Sequence, residues 1–436
     1  MIQREMYMKR IRPFIGTDLV KVMTGIRRCG KSVMLNLIQD ELKASGVQDV
    51  QMISFNFEVM SNAHLCTAQA LHDEVLKQAA AIEGKVYLFF DEIQEVAQWE
   101  KAINSFRIEL DCDIYITGSN AYLLSSEYST YLSGRCVEIK MLPLSFAEFI
   151  DFHGFTIQEV KSALGGTKKQ AVDADGTHYE LREIFDAYMR YGGMPGIADV
   201  GLEQDKALTL LDGIYSTVIV RDILEREKRR GQRQITDAIL LKKIILFLAD
   251  NIGSSVSVSS IGNTLVNEGL LDEGHRKTKP SAHTVQAYVN ALLEAYFFYD
   301  IKRFDIKGKE FLRTLGKYYI VDIGLRNYLL GFRNRDSGHA IENVVYFELL
   351  CRGYDVAIGK VGTAEVDFIA TKADEKLYVQ VTESMESETV RARELAPLQK
   401  IADNYEKIVL SLNPGLDSSY EGIKSLNLID WLLESK

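Results

Sequence analysis

The stretch Gly25–Ser32, GIRRCGKS, has the spacing G-x-x-x-x-G-K-S. It lies between an apolar run, Leu19–Thr24 (LVKVMT), and a segment carrying Val33, Met34, Leu37, Ile38 and Leu42 at helical spacing. Two glycines let the backbone turn tightly and bring its N–H groups close to an anion. The helix that follows adds unpaired N–H donors and the positive end of its dipole. Such a loop, set between a strand and a helix, reads as a phosphate-binding loop. Gly25, Ile26, Arg27, Arg28, Cys29, Gly30, Lys31 and Ser32 are the expected nucleotide contacts. Lys31 would reach the outer phosphates, and Ser32 would give a hydroxyl to Mg2+.

A loop of this class needs an acidic residue at the tip of a neighbouring strand. Val86–Glu92, VYLFFDE, is apolar up to Asp91, as a central parallel strand should be. Asp91 is the expected metal carboxylate, and Glu92 beside it is placed to polarise an attacking water. At the tip of the next strand, in YITGSN, Asn120 or Ser119 would hold that water or the terminal phosphate, although GSN is also good turn chemistry. Short apolar runs (LVKVMT, VQMISFNF, VYLFFD, CDIYITG, CVEIKML) alternate with helical patterns over residues 1–150. That order predicts a parallel sheet covered on both faces.

The loop, the acidic pair and the polar strand tip resemble the Walker A, Walker B and sensor 1 elements of the AAA+ superfamily of P-loop ATPases. The continuation YLSGRCVEIKMLPLSFAEF, from Tyr131, is similar to a bacterial and archaeal ATPase family with a Gly-Arg pair before a strand. By that resemblance Arg135 is a catalytic candidate alongside Lys31, Glu92 and Asn120, as a finger or sensor for the terminal phosphate, acting within one chain or across subunits. Asn56, at the end of the second strand, would couple Glu92 to a partner or serve as a turn residue. Arg190, in RYGGMPG, would sense nucleotide from a helical subdomain. The implied cofactors are ATP and Mg2+.

Residues 151–234 read as mostly helical, with LGGTKKQAVDADGTHY as a surface loop. Residues 235–335 give three helical patterns and then an extended pair, the order of a winged helix. Between Arg276 and Lys317 there are nine Lys and Arg against four Asp and Glu. Lys277, Lys279, Lys302, Arg303, Lys307 and Lys309 are the expected contacts to double-stranded DNA. Residues 336–436 form a second, smaller α/β unit that resembles the restriction-endonuclease-like fold. There Glu342, Asp367 and Gln380 fill three places of that fold's site, with Asp367 and Gln380 flanking Mg2+. The lysine place holds Thr382, which predicts a degenerate site. The fold class is therefore α/β: an ASCE, AAA+-like P-loop sheet, a helical subdomain, a winged helix and a restriction-endonuclease-like domain.

Bulk properties bound the rest. The 436 residues are 47% hydrophobic and 26% charged, with a net charge of −10. Such a balance excludes a uniformly basic nucleic-acid coat but not a local patch. Five cysteines at 29, 66, 112, 136 and 351 contain no C-x-x-C, which points to reduced thiols in a cytoplasm. The N-terminus lacks a secretory pattern, and no window predicts a membrane span. The leading function is an ATPase whose hydrolysis drives conformational change, with ATP, ADP and DNA as partners and a homo-oligomer as one assembly. The alternatives are a nucleotide-gated DNA-binding module with little turnover and an ATP-controlled nuclease.

Overall fold

The computed structural model describes residues 2–121, 132, 134–161, 167–225, 235, 237–267, 280–333, 337–415 and 417–434. The chain divides into two compact units, Met1–Leu142 with Glu294–Tyr296, and Pro143–Leu293 with Phe297–Lys436.

The first unit is built on five strands: β1 (Val20–Thr24), β2 (Met52–Asn56), β3 (Val86–Asp91), β4 (Cys112–Gly118) and β5 (Cys136–Lys140). They lie in the order β2-β3-β4-β1-β5, and every pairing is parallel. Helices α1 (Glu5–Ile11), α2 (Lys31–Ala44), α3 (Ala68–Ala79) and α4 (Trp99–Glu109) complete it. Every residue of β1 and β4 is buried, including Lys21 and Asp113, which pair as ions between the two strands. The core joins Val22, Leu88, Phe90, Ile114 and Ile116 of the sheet to Leu71, Val75, Ile103 and Phe106 of the helices. Because all strands run one way, the segments after β1, β3 and β4 emerge at the same edge, where parallel sheets carry their sites.

The second unit begins with α5 (Phe146–Phe152), whose Ser145 and Glu148 form a reciprocal capping box. A small antiparallel sheet follows: β6 (Thr156–Lys161), β7 (Thr167–Val172) and β8 (His178–Glu180). The segment expected as a surface loop thus contains two strands. Its Asp173 carboxylate accepts the N–H groups of Asp175 and Thr177 and makes the turn between them. Helices α6 (Leu181–Tyr191), α7 (Gly196–Val200), α8 (Gln204–Thr217) and α9 (Ala238–Asp250) come next. After them come β9 (Ser255–Val256), α10 (Val258–Asn267), α11 (Ala282–Glu294), β10 (Phe298–Asp305) and β11 (Glu310–Ile320). The C-terminal part adds α12 (Ile323–Leu330), α13 (Ser337–Cys351), β12 (Asp355–Val361), β13 (Ala364–Lys372), β14 (Glu375–Ser384), α14 (Glu388–Gln399), β15 (Glu406–Asn413), β16 (Ser419–Tyr420), β17 (Ile423–Asn427) and α15 (Leu428–Leu433).

The β10–β11 hairpin does not stand apart as an isolated wing. Strand β10 also pairs in parallel with β12, through Arg303–Asp305 and Ile358–Lys360. One nine-stranded sheet, β16-β17-β15-β14-β13-β12-β10-β11-β9, therefore runs across residue 335. All five cysteines are free. Among the described residues no helix is long and apolar enough to cross a membrane.

Candidate functional site

The turn after β1 is shaped by its glycines. Gly25 has φ +145° and Gly30 has φ +100°, both in the region that favours glycine. A Cβ on Gly25 would fall 2.1 Å from the Met141 carbonyl oxygen, so a side chain is excluded there by main chain. Lys31 opens α2 and is buried. Its ammonium donates to the Gly25 and Ile26 carbonyls at 3.0 and 3.1 Å.

The acidic pair faces this loop. Lys31 Nζ stands 3.9 Å from Glu92 Oε1. Glu92 has φ +54°, a costly backbone for a residue with a side chain, and its N–H donates to the Thr117 hydroxyl at 2.9 Å. Burial pushes the Glu92 carboxyl up, but the Lys31 and Arg27 cations, with bonds from Gln94 and Ser119, bring it below its ordinary value. A group held ionised in this way can accept a proton.

Asp91 is fixed from three sides. Thr117 donates to its Oδ1 at 2.5 Å, Asn56 donates to its Oδ2 at 2.8 Å, and its carboxyl bonds the Ser32 hydroxyl. Burial raises its pKa, with the Thr117 and Ser32 bonds opposing. A desolvated carboxylate beside a hydroxyl is a pair of hard oxygen donors, and this donor set fits Mg2+. Asn56 therefore holds Asp91, the expected metal carboxylate, and not Glu92. Thr117 had no role in the sequence reading, yet register explains both residues. Asn56 is the direct β2 partner of Asp91, and Thr117 follows the Phe90–Ile116 pair by one residue.

A family described as an AAA domain matches residues 17–150, and one described as a domain of unknown function matches residues 182–336. An uncharacterized protein of Haemophilus influenzae is 38% identical over 436 residues, which is 100% of this chain and 99% of that protein. Another, of Methanocaldococcus jannaschii, is 30% identical over 417 residues, 93% of this chain and 84% of that one. The chain belongs to their family, and it carries an AAA domain. Among solved structures, that of the Aeropyrum pernix ORC1 protein in complex with DNA overlaps at 13% identity with a TM-score of 0.31, covering 76% of this chain and 92% of that chain.

Not every expected site residue of the AAA domain reaches the loop. The Arg135 carbonyl accepts the N–H of Val20, and its guanidinium donates to Asn104 at 3.1 Å on the exposed surface. Val20 starts β1, whereas the phosphate loop follows its end. Arg135 is thus at the opposite edge of the sheet, about 13 Å away along a strand, and does not serve the phosphate of its own loop. Ser119 bonds Glu92, and Asn120 is buried beside it. Cys29 is fully buried, and Arg28 is exposed at φ +66°. Sequence reasoning missed Arg4. Its guanidinium, buried, donates to the Cys29 carbonyl at 2.9 Å and to the Leu142 carbonyl at 3.0 Å, and so braces the loop from behind.

The second unit collects another group of charges. Glu342 of α13, Glu365 and Asp367 of β13, Gln380 and Thr382 of β14, and Glu394 of α14 line a pocket of about 670 Å3. Lys317 of β11 is 5% exposed. Its ammonium lies 3.1 Å from Glu342 and 2.8 Å from Glu365. It is the last of the nine basic residues of the stretch 276–317, and it is buried among carboxylates. Tyr319 donates to Glu342 at 2.5 Å, Gln380 donates to Glu394 at 3.0 Å, and the Val381 N–H donates to Asp367 at 2.8 Å. Burial and the neighbouring Glu342 push Asp367 well above the carboxylate range.

Of the expected DNA contacts, Lys302, Lys307 and Lys309 are exposed. Arg303 is mostly buried and lies 3.6 Å from Glu365, so it is a correction to that set. Lys277 and Lys279 fall outside the described residues. Arg190 stacks its guanidinium on Phe332 within the second unit.

Proposed function

We propose that this protein is an Mg2+-dependent ATPase whose hydrolysis drives conformational change. The observation that carries the reading is the pair at the end of β3: Asp91 bonded to Ser32, and Glu92 3.9 Å from Lys31. The loop N–H groups and Lys31 would hold the phosphates. Asp91 and Ser32 would hold Mg2+, which when bound offsets phosphate charge. Glu92 would take the proton of the attacking water as its oxygen bonds to the terminal phosphorus and the bond to ADP breaks. Phosphate release by the wild type, lost in Glu92→Gln while nucleotide still binds, tests this. An unchanged rate in that variant removes Glu92 as the base.

The order α9, β9, α10, α11, β10, β11 supports a winged-helix reading of that region, with double-stranded DNA as the partner. Exposed Lys302, Lys307 and Lys309 would contact phosphates. Binding that is insensitive to salt, or unaltered by charge reversal at these three positions, refutes it.

A second reading, ATP-controlled cleavage of nucleic acid, is favoured by Lys317. This lysine brings a cation into the carboxylate group where Thr382 does not. Among the described residues no group of three or more acidic, histidine or cysteine side chains is arranged to hold a metal ion. Mg2+ is ordinarily held by one or two carboxylates and water, which Asp367 and Gln380 suit. Titration with Mn2+ by calorimetry, followed by a nicking assay on plasmid DNA with Asp367→Ala as the control, tests it. No metal uptake at this pocket refutes it.

A further inference from the structure

With Arg135 at the far edge of the sheet, Lys31 and Arg27 are the loop cations that act on the Glu92 carboxylate. Arg27 is the third residue of the phosphate loop and is 8% exposed. Its Nη1 donates to Glu58 Oε1 at 2.7 Å. Glu58 follows β2 closely, and its N–H donates at 2.8 Å to the Oδ1 of Asn56, whose amide nitrogen holds Asp91. Arg27 is therefore tied to the strand ending that fixes the metal carboxylate, on the same side as the catalytic acid. Its neighbour Arg28 faces solvent.

We propose that Arg27 is a catalytic residue: on nucleotide binding its guanidinium exchanges Glu58 for the terminal phosphate, supplying within one chain the cation expected from Arg135. This rests on the ATPase reading above. A guanidinium is planar, permanently charged and matched to two phosphate oxygens at once. A triphosphate carries several charges where Glu58 carries one, which favours the exchange. Arg27 moves no proton. As the water oxygen bonds to phosphorus and the ADP oxygen leaves with the bonding pair, Arg27 offsets charge on the transferring oxygens, and Glu92 takes the water's proton.

The consequence for rate is separable from a role in shaping the loop. Arg27→Lys and Arg27→Ala should lower kcat by about a hundredfold to a thousandfold, with ADP affinity within about threefold of wild type. Because the exchange is made with the terminal phosphate, affinity for a slowly hydrolysed ATP analogue should fall while affinity for ADP does not. A residue that only shapes the loop would lower both alike. The experiment measures steady-state phosphate release, and the binding of ADP and of that analogue by calorimetry, for the full chain and both variants. Lowered kcat with retained ADP affinity and weakened analogue binding supports the proposal. Wild-type-like kcat in Arg27→Lys and Arg27→Ala overturns it alone, as does an equal loss of analogue and ADP affinity. A wild type that binds ATP without releasing phosphate overturns the underlying ATPase reading, and this proposal with it.

Discussion

The two glycines of the phosphate loop should respond unequally to alanine. At Gly25 the added Cβ would sit 2.1 Å from the Met141 carbonyl oxygen, at φ +145°. Neither atom is the end of a flexible side chain, so backbone has to move. Unfavourable φ costs about 1–3 kcal/mol and forced repacking about 1–3 kcal/mol more. The sum, about 2–6 kcal/mol, removes the bound-ready loop by roughly thirtyfold to more than a thousandfold. At Gly30 the nearest atom to a Cβ is Arg4 Nη1 at 3.8 Å, an ordinary contact, so only the strain of φ +100° applies. That is about 1–2 kcal/mol, or roughly fivefold to thirtyfold. Calorimetry with ADP and with a slowly hydrolysed ATP analogue would measure both, with circular dichroism confirming that each variant folds. Gly25→Ala within threefold of wild type, or losses equal to those of Gly30→Ala, would refute the idea that main-chain crowding at Met141 dictates this position.

Glu92→Gln should lower phosphate release by about a hundredfold to ten-thousandfold with ATP affinity kept, read by single-turnover kinetics. Asn56→Ala should weaken Mg2+-dependent ATP binding about tenfold, with metal-free ADP binding unchanged, because it removes the 2.8 Å bond that orients Asp91. Acid should destabilise the second unit through His153, whose Nε2 is buried without a partner among the described residues and whose ring lies 4.2 Å from Phe149. Burial lowers its pKa to about 4, whereas the unfolded chain takes the proton near 6.5. The stabilisation is therefore complete above about 6.5 and is lost as pH falls toward 4, with about 2 kcal/mol of it gone by pH 5. His153→Phe should flatten that dependence, measured as thermal midpoints at pH 5 and 7.5. Lys317→Met should destabilise the protein by about 3–5 kcal/mol by leaving Glu342 buried without its cation and Glu365 with one cation fewer, detected by urea unfolding.

The nucleotide site was legible because its chemistry is local: glycine spacing between a strand and a helix, and acids ending an apolar strand. That Arg135 lies away from its own chain's loop was readable from strand direction. It precedes β5, while the loop follows β1, and in a parallel sheet those ends are opposite. Asn56 and Thr117 were hidden because their meaning is register between strands far apart in sequence. Counting charges along the chain did not separate Lys317 from its neighbours. The signal for its burial was its position at the head of KYYIVD, an apolar run that makes a buried strand, where a lysine has to find carboxylates. In Thr167–Val172, glycines and lysines nearby obscured a short strand that is held mainly by pairing with β6.

The parallel seam between β10 and β12 has a practical result. A fragment beginning at residue 336 would keep the terminal fold's helices but bare the flank of β12, along with the carbonyl and amide groups that Arg303–Asp305 now occupy. Such a flank is adhesive toward other chains. Dissection of this protein at that point should therefore yield self-associating material, whereas a fragment starting ahead of β9 keeps the seam closed.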